Sequence, residues 1–227
     1  MLGRYNIEDD AARAFAVLKD GGTAILPMDV GYSLIGGSEV ALDLIFRTKG
    51  RASDKLNAMV GNQAIHEAIQ KVDQRAHDVI QALTADAGLP LGVIAPCDLS
   101  HPILNVIDME GSNKDGTIAL LMNAGSFHDA ISRLSLEHGH PLFGSSANRS
   151  LQGTKFRVED IESEILAIAD IVIDHGLRKY HPYGASSTLL DVMNMAVIRQ
   201  GACFELIVDI LRRRFDIALA LPAPTIH

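Results

Sequence analysis

Cysteine is scarce in this chain: Cys97 and Cys203 are the only two in 227 residues, and they form no CxxC. That excludes a disulfide framework and a cysteine-based zinc site, and reduced, buried thiols are expected. Long apolar runs are missing too. Nothing approaches the ~18–20 consecutive apolar residues that span a bilayer, and the opening MLGRYNIEDD has no signal-peptide apolar region. The expectation is a soluble, cytoplasmic protein with no membrane partner. Cations are outnumbered, with 20 Lys and Arg against 28 Asp and Glu, for a net charge of −8. A surface built throughout to hold duplex nucleic acid is disfavoured, because such binding neutralises phosphates with cations. The total leaves room for a local basic groove. The only dense basic run, Arg212-Arg213-Arg214, sits in FELIVDILRRRF, where helical spacing puts the arginines on a solvated outer turn. No HExxH occurs, and His138, His140, His175 and His181 have no carboxylate at familiar ligand spacing, so they read as loop or surface histidines and no metal site is expected.

What is present is a chain that is 48% hydrophobic, long enough to bury a large core. Helical and strand-like segments alternate along it. Helices are expected over 7–20, 39–48, 64–70, 73–86, 126–138, 158–169 and 203–215. Strands are expected at 23–27, 31–35, 56–60, 91–95, 117–122, 141–145, 170–174, 187–192 and 196–200. The alternation points to an α/β domain with helices covering a sheet, and STLLDVMNMAVIRQ reads as a hairpin, so the sheet is mixed. No composition break divides the chain. One domain over 1–215 and a proline-broken tail over 216–227 are expected, with DMEGSNKDG (108–116) and GLRKYHPYGAS (176–186) as the main loops.

Three segments carry chemistry. Lys49-Gly50-Arg51 closes an expected helix; a mobile ammonium beside a planar guanidinium can grip a polyanion, and a solvated helix end explains the same residues. Gly144-Ser145-Ser146-Ala147-Asn148 follows a short apolar strand, where small residues admit a ligand to the backbone and hydroxyls and an amide can bond phosphate, a metal-bound water or a base. An ordinary Ser/Asn turn is the alternative. Asparagine at 148 breaks GxSxG and removes a serine-hydrolase elbow. Finally, Ser186-Ser187-Thr188-Leu189-Leu190-Asp191 and Val197-Ile198-Arg199-Gln200-Gly201 can bring hydroxyls and an arginine to one sheet edge. Singly, Thr188 reads as a β-former and Arg199 as a surface charge.

In order, PMDVGYSL (27–34), KGRASDKLN (49–57), SSANRSL (145–151) and SSTLLD with RQG (186–201) resemble the YrdC-like family, best known for threonylcarbamoyladenylate synthases. The resemblance implies a single α/β domain with a twisted mixed sheet and flanking helices, and a concave basic groove. It implies an ATP-dependent synthesis joining an amino acid and bicarbonate to adenylate, releasing pyrophosphate with Mg²⁺, for tRNA modification. On this resemblance Lys49 and Arg51 fall to catalysis. Lys55, Ser145, Ser146, Asn148, Ser187, Thr188 and Arg199 fall to nucleotide or substrate binding, and Asp29 and Tyr32 to the substrate pocket. Double-stranded RNA is a further partner that it allows.

The departures point one way. Met28 and Val30 stand where the family has threonines, Leu121 where it has an arginine, and Leu151 where it has a glycine. Lost hydroxyls weaken discrimination for threonine, so the amine substrate stays open. A non-catalytic nucleotide or RNA binder is the alternative reading, and a carbamoyl-phosphate-dependent transferase the third.

Overall fold

The computed structural model describes residues 5–50, 56–104 and 111–219. The first helix, α1 (Ile7–Lys19), starts where the Asn6 side chain accepts from the Asp9 N–H, carries acids in its first turn, and buries Ala11, Ala14, Phe15 and Leu18 on one stripe. Strands β1 (Thr23–Met28) and β2 (Gly31–Gly36) form an antiparallel hairpin closed at Met28 opposite Gly31. Gly31 is required there: its φ is 119°, and a Cβ would lie 2.3 Å from Thr154 Cγ2. Helix α2 (Glu39–Lys49) is capped by Ser38 and ends on left-handed Gly50, an arrangement that stops it at the Lys49-Gly50 step.

The remaining elements are β3 (Ala58–Val60), α3 (Gln63–Ile69), α4 (Gln74–Gln81), β4 (Leu91–Pro96), β5 (Thr117–Met122), α5 (Ser126–Glu137), β6 (Phe143–Ser146), α6 (Ser163–Leu166), β7 (Ile171–Val172), β8 (Thr188–Asp191), β9 (Ala196–Arg199) and α7 (Phe204–Phe215). Among the described residues nine strands make one mixed sheet in the order β7-β1-β2-β6-β3-β5-β4-β8-β9. The expected hairpin at β8–β9 is antiparallel, with a bulge between Leu189 and Leu190.

Two helix expectations are corrected. The segment 73–86 is not uniform: α4 passes into a π-helical turn over Ala82–Asp86. The segment 158–169 holds only a 3₁₀ turn, Val158–Asp160, and the single turn α6. Ile161 and Glu162 between them are extended, with ψ of 135° and 141°. That break lets Ile161 and Ile165 both reach the core while Glu162 turns out to pair with Lys155 at 2.8 Å. Beyond α7, Ile217 is buried and its N–H bonds Leu211 O at 3.1 Å, so the chain keeps packing past residue 215.

The two faces of the sheet are unequal. Along β5, Ile118, Leu120 and Met122 are buried, while Thr117, Ala119 and Leu121 are half-covered. Register carries the buried row through Phe143, Met59, Leu120, Val93 and Leu190. The alternate residues form a second row that is less covered: Ser33, Ser146, Ala58, Leu121, Ile94, Leu189 and Asp191 are all half-buried. Period-two alternation thus leaves one face packed under helices and the other as a partly open floor.

Candidate functional site

That floor holds two of the expected site residues at its opposite ends. Ser146 pairs with Ser33 on β2, and Arg199 pairs with Leu189 on β8 and is exposed. From β6 to β9 there are five strand steps, ~24 Å across the sheet at the usual strand spacing. Between them the floor is apolar, with Ala58, Leu121 and Leu189. Gly92 belongs to it because a Cβ there would lie 2.7 Å from Leu189 Cδ1. A ligand touching both ends must be about as long as an extended nucleoside triphosphate even when the Arg199 side chain reaches towards it, and only its ends meet polar groups.

At the β6 end the loop 145–148 is clamped by Lys49. This lysine is only 4% exposed. Its Nζ donates to Ser146 O and, at 2.6 Å, to Asn148 O, while Lys49 O accepts from the Ser150 N–H at 3.1 Å. Expected as a phosphate-gripping cation or a solvated helix end, it is instead directed inward onto two backbone carbonyls. Arg51 and Lys55 lie outside the described residues. With its carbonyls drawn to Lys49, the loop keeps two buried oxygens without a hydrogen-bond partner, Ser145 Oγ and Asn148 Oδ1. The Asn148 amide donates to Arg149 O at 2.5 Å, which orients Oδ1 away from it. Such atoms are costly to bury unbonded and fit a ligand that carries N–H or O–H donors.

At the other end, Thr188 is fully buried; its hydroxyl donates to Ala202 O (3.2 Å) and accepts from the Gly201 N–H (3.1 Å). Expected at a binding site, it anchors the entry to α7. Ser187 is buried, and its carbonyl accepts from the Arg199 guanidinium at 2.9 Å. Gly201 is forced by crowding, since a Cβ would lie 2.2 Å from Ser186 O.

The β1–β2 turn places the other two expected residues differently. Tyr32 is fully buried; its hydroxyl lies 2.9 Å from both Asp174 Oδ1 and Gly176 O and accepts from the His175 N–H at 3.1 Å. Burial, with the Asp174 carboxylate beside it, raises the phenol's pKa well above its ordinary range. Tyr32 therefore ties β2 to the segment after β7. Asp29 pairs with Arg178 at 3.1 Å, and its N–H bonds Ala124 O at 2.6 Å. It also lines an open cleft of about 450 Å³ with Asn123, Ser126, Lys179 and Tyr180. This cleft touches neither the 145–148 loop nor the β8–β9 edge.

Sequence reading missed two histidines. His128 is buried at the start of α5, where Nδ1 accepts from the Ala124 N–H (3.4 Å) and Nε2 donates to Leu121 O (3.1 Å). Burial lowers its pKa to about 4, keeping it neutral. His175, expected at the surface, is buried; Nε2 lies 3.0 Å from Asp10 Oδ2 and the ring stacks on Tyr5. Neither was legible because the aspartate and carbonyl partners are remote in sequence or belong to the backbone.

Charge is less free than composition allows. Lys155 pairs with Glu162, Arg149 with Glu164, Arg213 with Asp209 and Arg214 with Asp86. Among the described residues no group of three His, Cys, Asp or Glu is placed to hold a metal, and no helix is long and apolar enough to cross a membrane.

The Sua5/YciO/YrdC family model, described as telomere recombination, matches residues 16–201. No curated protein matches the chain. A hypothetical protein, smu.1377c, from Streptococcus mutans UA159 is similar with a TM-score of 0.78 at 19% identity, over 94% of each chain. P. abyssi Sua5 complexed with L-threonine gives 0.71 at 20% identity, over 88% of this chain and 56% of that one. E. coli YciO gives 0.66 at 18% identity, over 86% and 90%. At these identities the likeness carries the fold. The matched span takes in the β1–β2 turn, the 145–148 loop and the β8–β9 edge, and the chain belongs to the Sua5/YciO/YrdC family.

Proposed function

We propose that this protein binds ATP along the half-covered face of the sheet and forms a carbamoyl adenylate from an amine and bicarbonate. The observation that carries this reading is the placement of Ser146 and exposed Arg199 at two ends of one face with an apolar floor between, a span that an extended nucleoside triphosphate covers once the length of the arginine side chain is taken off. In the proposed step a carbamate oxygen attacks the α-phosphorus, the bond to the bridging oxygen breaks, and pyrophosphate leaves. Arg199 would offset charge growing on the phosphates, and the Lys49-clamped loop would hold its end of the ligand without reorganising. Mg²⁺ would neutralise the polyphosphate; with no three-residue carboxylate or histidine set among the described residues, it would be held mainly by phosphate oxygens and water.

Met28 and Val30 are buried at 0% and 2%, and Leu121 lies in the floor, so the positions that distinguish this chain offer no hydroxyl or cation to an amine. That supports an amine other than threonine, although P. abyssi Sua5, a fold relative, was solved with L-threonine. The test is pyrophosphate release from ATP, bicarbonate and Mg²⁺ across a panel of amino acids and simple amines. Release above that of Arg199→Ala is expected. None with any amine overturns the enzyme reading. The same apolar floor supports a second reading, nucleotide binding without chemistry, in which ATP titrates saturably and no pyrophosphate appears. HypF, another fold relative, was solved in a phosphate- and nucleotide-bound form; carbamoyl phosphate in place of bicarbonate and amine tests transfer from that donor.

A further inference from the structure

Three hydroxyls gather at the β2–β6 end of the floor. Ser33 and Ser146 stand directly opposite each other in the antiparallel register, where paired side chains lie ~5 Å apart on one face. The third arrives from a loop. Gly31 is two residues from Ser33 on β2, so period-two alternation puts it on the same face, ~7 Å along the strand. The space that its missing Cβ would take is filled by Thr154 Cγ2. Thr154 therefore leans over the floor beside Ser33. Two contacts fix the loop that carries it. Lys155 O accepts from the Tyr32 N–H at 2.8 Å and Tyr32 O accepts from the Ala147 N–H at 2.8 Å, so Lys155 takes the place beside β2 that β6 leaves after Ser146. The Lys155 ammonium pairs with Glu162 at 2.8 Å, their side chains only 17% and 20% exposed, and Glu162 also accepts from the Arg149 N–H at 3.3 Å. One carboxylate thus closes loop 149–162 on itself.

Ser33, Ser146 and Thr154 are each half-buried, and none of the three hydroxyls hydrogen-bonds another described residue. They face the open floor and are free to meet a ligand. A hydroxyl donates and accepts equally well, and the described cations at this end are engaged elsewhere, Lys49 on the carbonyls of Ser146 and Asn148 and Lys155 on Glu162. The set therefore suits an uncharged hydrogen-bonding group, whereas phosphates are better served at Arg199. Met28, paired with Gly31 on the same face, adds an apolar neighbour for a carbon skeleton. We propose that Ser33 and Thr154, together with Ser146, are specificity-determining residues that select an amine bearing a hydroxyl, an amino alcohol. The inference rests on the carbamoyl-adenylate reading above and names the class of its amine.

The test compares 1-amino-2-propanol with isobutylamine, which has a methyl group in place of the hydroxyl and keeps the shape. Pyrophosphate release from ATP, bicarbonate and Mg²⁺ is measured with each amine over a range of concentrations. The amino alcohol is expected to be favoured about tenfold in kcat/KM, the yield of one or two net hydrogen bonds. Thr154→Val keeps the methyl over Gly31 and removes only the hydroxyl. It and Ser33→Ala should each cut the preference to about threefold or less while leaving the KM for ATP unchanged. Equal kcat/KM for the two amines, release with other amines but with neither of these, or a preference that survives both variants overturns the assignment and leaves the enzyme reading standing. A change in the KM for ATP that accompanies the lost preference in both variants makes the effect structural and overturns the assignment as well. No release with any amine overturns the enzyme reading, and the assignment falls with it.

Discussion

Replacing Lys49 by methionine separates a loop clamp from a phosphate ligand. Methionine keeps most of the buried stem and removes the ammonium. Two carbonyls, Ser146 O and Asn148 O, then lose their charged donor in a place with little access to water. Each such loss costs ~1–3 kcal/mol, and removing a buried ammonium returns part of its desolvation penalty. The net expectation is a destabilisation of about 2–4 kcal/mol. Urea unfolding followed by circular dichroism reads it as a lower midpoint at unchanged m-value. ATP affinity should fall as well, through loss of the loop's shape, and with the salt dependence of the remaining binding unaltered. A ligand role predicts the opposite pairing: stability within ~0.5 kcal/mol of wild type, as for a residue facing solvent, together with a shallower salt dependence. That outcome would refute the clamp.

His128 makes stability depend on pH. Its folded pKa of about 4 lies below the ordinary 6.5, so between those values the unfolded chain binds more protons, and stability present above pH 6.5 is lost as pH falls towards 4. The shift corresponds to about 3 kcal/mol. His66, also lowered by burial, acts in the same direction, so the measurement is the difference in urea midpoint between wild type and His128→Gln from pH 7 to 4.5; parallel profiles count against the assignment. Tyr32→Phe should destabilise by ~1–3 kcal/mol by stripping the partner from Asp174 and the His175 N–H, without changing the KM for any amine; a KM change would return Tyr32 to the substrate pocket. Arg199→Ala should weaken ATP binding ~10-fold or more, the loss of a charge-assisted contact, with little change in melting temperature. Equal loss of both would make it structural.

Much of the fold was legible because it is written in local signals. Asn6, Ser38 and Asp73 cap their helices as their side-chain chemistry dictates, and Gly50 stops α2. The alternation of TIALLM gives β5 its two faces. The segment 158–169 went astray because helical spacing of Ile161 and Ile165 competes with the pull of Lys155 on Glu162, a contact that no periodicity encodes.

The site divided along the same line. Its three chemistry-bearing segments could be picked out by residue type, since hydroxyls, amides and cations beside strand ends are a local pattern. Their roles could not, because a side chain's role depends on what stands across from it. Lys49 meets carbonyls nearly a hundred residues away, and Tyr32 meets a loop beyond residue 170. Thr188 spends its hydroxyl on the approach to α7. Composition, capping and periodicity by themselves determined an α/β domain with a mixed sheet. Strand register decided that Ser146 and Arg199 share a face, because register is a property of pairs of strands rather than of either one, and the packing of the α2 end on the 145–148 loop decided that Lys49 points inward.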